Sequence, residues 1–171
     1  MSFISIIDYG SGNLRSVYNA LNYILEKKKK KNTKITITAS KNEINRSSHL
    51  ILPGVGAFES CINGLKKTSL IEAIDKAVQI NKVPFLGICV GMQMLAEKGF
   101  ENGEHDGLGW IKGGVKKINP KNSNLKIPHM GWNDLKIEKN NRFIKSLKKK
   151  IGHLKKPSQP SAYFVHSYNF L

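Results

Sequence analysis

Two cysteines, Cys61 and Cys89, are all that the 171 residues hold. Nothing about them suggests a disulfide framework, and in a reducing compartment Cys89 stays free to react. No apolar run approaches the roughly 18 residues of a membrane span. The N-terminus lacks a basic segment followed by an apolar stretch and a small-residue cleavage site. The expectation is a cytoplasmic protein without membrane contact. Acidic residues are scarce: 12 Asp and Glu stand against 28 Lys and Arg, a net charge of +16. Such an excess raises a nucleic-acid partner. The basic residues are instead clustered at Lys27–Lys31 and between Lys121 and Lys156, with no aromatics in the first cluster, only Trp132 and Phe143 in the second, and no recognition-helix, zinc-finger or RNA-platform signature. We read them as a solvated lysine-rich surface and expect no nucleic acid.

What is present suits a folded domain. With 40% hydrophobic and 23% charged residues, the chain is long enough for one domain, residues 1–171, and short for two. Phe3 to Asp8 predicts a strand, Tyr9 to Asn13 a glycine loop, and Leu14, Val17, Tyr18, Leu21, Ile24 and Leu25 a helix. Ile35 to Ala39 and His49 to Leu52 read as strands, with a short helix near Lys41 to Asn45. Apolar spacing predicts a helix over Leu65 to Ile80 and then a strand over Val83 to Ile88. Strands alternating with helices imply an α/β fold with a parallel sheet covered on both faces. Beyond Gly107, glycine and proline interrupt short β-prone runs at 107–118, 127–135 and 163–168, which read as added hairpins and loops. Loops follow the strands ending at Asp8, Leu52 and Ile88, and in an open α/β sheet such loops meet in one crevice.

The third of these loops holds a thiol. Gly87-Ile88-Cys89-Val90-Gly91 has the form of a nucleophile elbow with cysteine in place of serine. The tight turn strains the central residue, the glycines avoid clashes, and the Val90 amide faces an oxyanion. A helix starting at Val90 would favour thiolate through its dipole. The five residues alone leave open a buried structural cysteine. Gly54, Val55 and Gly56 follow a strand and could supply further amide donors, or form a plain turn. Gly10-Ser11-Gly12-Asn13 is a weak partial match to a phosphate or dinucleotide loop. Cys61 has no elbow around it and reads as packing.

Six segments taken together resemble a known family: DYGSGN at 8–13, LPGVGAF at 52–58, GICVGMQML at 87–95, GLGWIKGGV at 107–115, PHMGWN at 128–133 and YFVHSY at 163–168. In collinear order they resemble the glutamine amidotransferase subunit of imidazole glycerol phosphate synthase. The elbow by itself marks the wider class I, triad-type glutamine amidotransferases. The resemblance implies a flavodoxin-like three-layer α/β fold and a glutaminase. Cys89 would be the nucleophile, with Gly54, Val55, Gly56 and Val90 forming the oxyanion hole. Gln93 and Glu101 would bind substrate glutamine, the carboxylate meeting its α-ammonium; Glu97 by its own position reads as a helix-surface residue, and Glu101 is preferred. The partner implied is a (β/α)8-barrel cyclase subunit in a heterodimer, which takes the ammonia for histidine biosynthesis. Asn13, Trp132 and Tyr163 match positions facing it. No cofactor or metal is implied. A paralogue serving surface-sugar modification and a non-catalytic binding subunit are the alternatives.

The resemblance also exposes a gap. The family closes its triad with a His-Pro-Glu motif after the YFVHSY strand, and here none of His49, His105, His129, His153 or His166 has Glu two residues on. The expectation is a C-terminal truncation of roughly 30 residues, a hairpin and a helix with the base and its carboxylate, and therefore an inactive chain. A gene fragment and an incomplete sequence fit equally. His166 is a poor substitute base, lacking an orienting carboxylate.

Overall fold

The structure, a computed structural model, describes residues 2–120, 125–137, 144–146 and 160–171. They fall into two compact units, Met1–Lys117 with Tyr168–Leu171, and Ile118–Ser167. Most of the basic cluster at 121–156, with His153, lies outside the described residues.

In the first unit, β1 (Ser2–Ile7), β2 (Thr33–Thr38), β3 (His49–Gly54) and β4 (Phe85–Cys89) form a parallel sheet in the order β2-β1-β3-β4. Every residue of β3 after His49 is buried, as befits an interior parallel strand covered on both faces. Ile6 lies opposite Ile37 on one side and Ile51 on the other, and β3 meets β4 with Gly54 opposite Cys89. Parallel pairing puts the carboxyl ends of β1, β3 and β4 at one end of the sheet. The loops after them emerge together, as their order in the chain predicts.

Helix α1 (Leu14–Lys27) starts at Asn13, whose side-chain oxygen accepts the Ser16 amide at 3.2 Å, a standard N-cap. Its inner stripe of Leu14, Val17, Tyr18, Leu21 and Leu25 is half-buried, whereas Ile24 faces outward. After the short α2 (Lys41–Asn45), the chain departs from expectation. The single helix foreseen over 65–80 is divided. Helix α3 (Phe58–Lys67) buries Phe58, Cys61, Ile62 and Leu65, one face at i, i+3, i+4, i+7. It ends where Ser69 turns to a φ of 57°. Then α4 (Ile71–Asp75) begins and runs into a π-helical turn at Lys76–Ile80. These helices and β3 share one core around Leu52, Phe58, Ile62, Leu65, Ile74 and Met94.

The helix after Cys89 is also corrected. Helix α5 (Val90–Gln93) is a single turn, and Ala96–Gly99 is already strand β5. Glu97 is therefore a strand residue, and its carboxylate accepts the Gly113 amide at 3.0 Å. Ala96 is fully buried, and its pairing with Ile111 draws the chain into a second sheet. With β6 (His105–Asp106), β7 (Ile111–Lys117) and β10 (Tyr168–Phe170), the order there is β10-β7-β5-β6. Here β7 runs parallel to β5 and antiparallel to β10. Segments expected as local hairpins thus pair with partners distant in the chain.

The second unit is built on β8 (His129–Asp134) antiparallel to β9 (Ser161–His166). His129 Nδ1 and His166 Nε2 are 3.0 Å apart, and the His129 ring stacks on Phe164. Along the strands Met130, Trp132, Tyr163 and Val165 are exposed together. They are two cross-strand pairs, Met130 with Val165 and Trp132 with Tyr163. Among the described residues no helix is long and apolar enough to cross a membrane.

Candidate active site

Cys89 is the last residue of β4 and the residue before α5, with φ 54° and ψ −120°. A side chain rarely adopts such a backbone, and strain of this kind persists only where the surroundings over-determine it. The surroundings here are three glycines. A Cβ on Gly91 would lie 1.9 Å from the Leu52 carbonyl oxygen, one on Gly87 2.6 Å from Met92 Cα, and one on Gly54 2.4 Å from the Gly91 nitrogen. Only bare backbone lets the elbow press against the end of β3. The outcome is an exposed thiol on a sharp corner, with Cys61 fully buried.

Opposite the thiol runs the glycine loop. Gly54 is the register partner of Cys89, Val55 is 61% exposed, and Gly56 has φ 99°. From the other side comes the Val90 amide, directly after the nucleophile, where an elbow places an oxyanion donor. The dipole expected to support a thiolate is much reduced by the shortness of α5, because a macrodipole is a sum over aligned peptides. What survives is local: the first amides of a one-turn helix have no acceptor within it.

Gln93 is half-buried beside the elbow, its Nε2 donating to the Tyr168 carbonyl at 3.5 Å, so β10 orients it. Glu101 accepts the Phe58 amide on Oε2 at 2.8 Å. That contact caps the N-terminus of α3, directly after the glycine loop, and ties the carboxylate to that loop's far end. Asn13 is an exposed helix cap. Trp132 and Tyr163 belong to the second unit, with ring centroids 5.7 Å apart, edge to face. His166 has an imidazole for its neighbour, His129. The structure thus joins Cys89, Gly54, Val55, Gly56, Val90 and Gln93 around one end of the parallel sheet.

Three residues escaped the sequence reading. Tyr9 Oη donates to the Pro53 carbonyl at 2.8 Å, Ser11 Oγ donates to the Val55 carbonyl at 2.9 Å, and Cys61 Sγ reaches that carbonyl at 3.4 Å. Burial holds the Tyr9 phenol well above its usual range, with Cys61 adding to the effect, so Tyr9 remains a donor at any physiological pH. The only local signal was that Tyr9 and Ser11 flank a turn glycine. Concavity alone does not mark this site either. An open concavity of about 680 Å³ lies on the second sheet, lined by Glu97, Lys98, Phe100, Asp106, Gly109 and Lys116 among others, with no elbow residue among them.

Comparison with known proteins agrees with the geometry. The family described as Glutamine amidotransferase class-I matches residues 5–170. The imidazole glycerol phosphate synthase subunit HisH of Pelagibacter ubique is 40% identical over 169 residues, 98% of this chain and 75% of that protein. HisH of Caldanaerobacter subterraneus subsp. tengcongensis is 47% identical over 165 residues, 96% of this chain and 71% of that protein. A crystal structure of a glutamine amidotransferase superposes with a TM-score of 0.64 at 16% identity, over 98% of this chain and 72% of that one, a likeness of fold. A cysteine elbow facing a glycine loop, on a chain that matches the family over residues 5–170, places the protein in the class-I glutamine amidotransferase family.

Proposed function

We propose that the chain is the glutaminase subunit of imidazole glycerol phosphate synthase, acting in the cytoplasm with a (β/α)8-barrel cyclase. The observation that carries this reading is the strained, exposed Cys89 set opposite Gly54. The Cys89 thiolate attacks the side-chain amide carbon of glutamine. The carbonyl oxygen takes up the electron pair and is held by the Val90 amide and by amides of the 54–56 loop. Collapse of this adduct breaks the C–N bond, the nitrogen gains a proton and leaves as ammonia, and a γ-glutamyl thioester remains. Water attacks the thioester, releasing glutamate and restoring the thiol. Glu101 meets the α-ammonium through Oε1, its Oε2 being held by Phe58, and Gln93 contacts the bound amino acid. The ammonia passes to the cyclase.

Both proton transfers need a base oriented by a carboxylate. These 171 residues contain no histidine with Glu two positions on. By themselves they should therefore hydrolyse glutamine several orders of magnitude more slowly than a complete triad. The test combines two measurements. Glutamate release is followed with the cyclase present and should stay at background. Labelling by a glutamine-mimicking electrophile is mapped by mass spectrometry, and should fall on Cys89, vanish in Cys89→Ser, and spare buried Cys61. Rapid glutamate release would mean that another base serves, and equal labelling of both thiols in folded protein would remove the elbow from the mechanism.

A further inference from the structure

We infer that Ser11, Cys61 and Tyr9 are positioning residues that hold the 53–56 glycine loop from behind and so set the direction of the amides presented to the substrate at Cys89. The inference rests on the glutaminase reading and names residues that neither the elbow nor the loop sequence contains.

Hydrogen counting carries it. The segment runs Pro53-Gly54-Val55-Gly56, its first two residues the end of β3, and two of its carbonyls are taken by side chains from other elements. Pro53 accepts from Tyr9 Oη at 2.8 Å in a buried contact, and Val55 accepts from Ser11 Oγ at 2.9 Å and from Cys61 Sγ at 3.4 Å. Ser11 Oγ and Cys61 Sγ are themselves 3.4 Å apart. A phenol, an alcohol and a thiol carry one hydrogen each: the Tyr9 hydrogen goes to Pro53, and Ser11 and Cys61 share two hydrogens between the Val55 carbonyl and their own contact. A trans peptide is planar, with its C=O and N–H pointing in opposite directions. Fixing the Pro53 oxygen therefore fixes the Gly54 N–H on the β4 side and seats the end of β3 against Ile88 and Cys89, and fixing the Val55 oxygen fixes the Gly56 N–H, the amide offered to the substrate. Each amide is turned away from the side chains that hold its carbonyl.

The donors come from two directions. Tyr9 and Ser11 belong to the loop after β1, and Cys61 to the first turns of α3. Gly12, with φ 99°, allows the β1 loop to come this close: a Cβ there would lie 2.9 Å from Pro53 Cβ. Packing alone would be met by phenylalanine at 9 and alanine at 61. It does not require a hydroxyl at 11, on a half-buried loop. What the three have in common is a hydrogen aimed at a loop carbonyl.

The test compares two alkylations of Cys89 in the intact chain. A glutamine-mimicking chloroketone places its carbonyl oxygen in the oxyanion position, and iodoacetamide makes little use of it. In both reactions the thiolate sulfur forms a bond to carbon and a halide ion leaves. The ratio of the two rates reports the hole separately from thiol exposure and from folding, which circular dichroism checks. Ser11→Ala and Cys61→Ala should each lower the ratio about fivefold, the scale of one lost neutral hydrogen bond, and Tyr9→Phe should do likewise. Ser11→Thr and Cys61→Ser keep a donor and should stay within about twofold of the parent. If the parent favours the chloroketone and folded Ser11→Ala and Cys61→Ala keep its ratio, the inference fails and the glutaminase reading stands. If the parent thiol shows no preference for the chloroketone, the glutaminase reading fails and this inference with it.

Discussion

At Gly91 a methyl group has nowhere to go. The nearest atom is a backbone oxygen of Leu52 at 1.9 Å, which cannot swing aside as a side-chain tip would. Gly91→Ala should therefore cost about 3 kcal/mol or more in urea unfolding, at the upper end of overpacking penalties because the obstacle is main chain. Gly56→Ala meets no atom within 4 Å and bears only the strain of its φ of 99°, about 1 kcal/mol. An equal loss at both positions would show that the elbow does not press on β3. The glycines of the elbow were legible in the sequence because the turn is local. Ser11, Cys61 and Tyr9 were not, since Ser11 lies 44 residues from the carbonyl it holds.

At the scale of elements, the break between α3 and α4 can be tested directly. Ser69 is exposed and sits just past the end of α3 with φ 57°, the left-handed position where glycine usually ends a helix. Ser69→Gly should raise stability by about 0.5–1 kcal/mol, relief of the Cβ clash outweighing the added freedom of the unfolded chain. That corresponds to a rise in Tm of roughly 1–4 °C. A fall in Tm would mean that Ser69 makes the turn by some other means. The sequence holds no glycine or proline at 68–70, so its apolar spacing ran on unbroken from 65 to 80. The division follows from packing, because α3 turns one face to the core and the chain must then redirect to bring Leu70 and Ile74 into it. Helix α5 is the same lesson at shorter range: its period continues past Gln93, but the pairing of Ala96 with Ile111 takes the chain into a sheet.

For the whole molecule, the question is which surface meets a partner at a net charge of +16. Lys27 to Lys31 are exposed at the end of α1, and Asn32 and Thr33 then lead into the start of β2 beside Ser2. They stand at the amino end of the parallel sheet, whereas Cys89 ends β4 at the other. On the proposed function, a cyclase that takes up the ammonia docks on the side of the thiol, and the lysine run should stay free. Trp132, 71% exposed, and Tyr163, 53% exposed, make a cross-strand aromatic pair on the second unit with the composition of an interface hot spot. In calorimetric titration with the cyclase, Trp132→Ala should weaken binding by about 2 kcal/mol or more. Replacing Lys28, Lys29 and Lys30 together by Gln should leave it nearly unchanged at moderate salt. The reverse result would make charge the contact and remove the aromatic pair from the interface. What the sequence by itself determined was whatever short range decides: apolar runs for the parallel strands, helical spacing from Leu14 for α1, and the glycines that let Cys89 turn its corner. Tertiary structure alone decided the break at Ser69, the strand at Glu97 and the hydrogens that Tyr9, Ser11 and Cys61 spend on the 53–56 loop. Most of these depend on which atoms distant in the chain come within a few ångströms, and no local pattern encodes that.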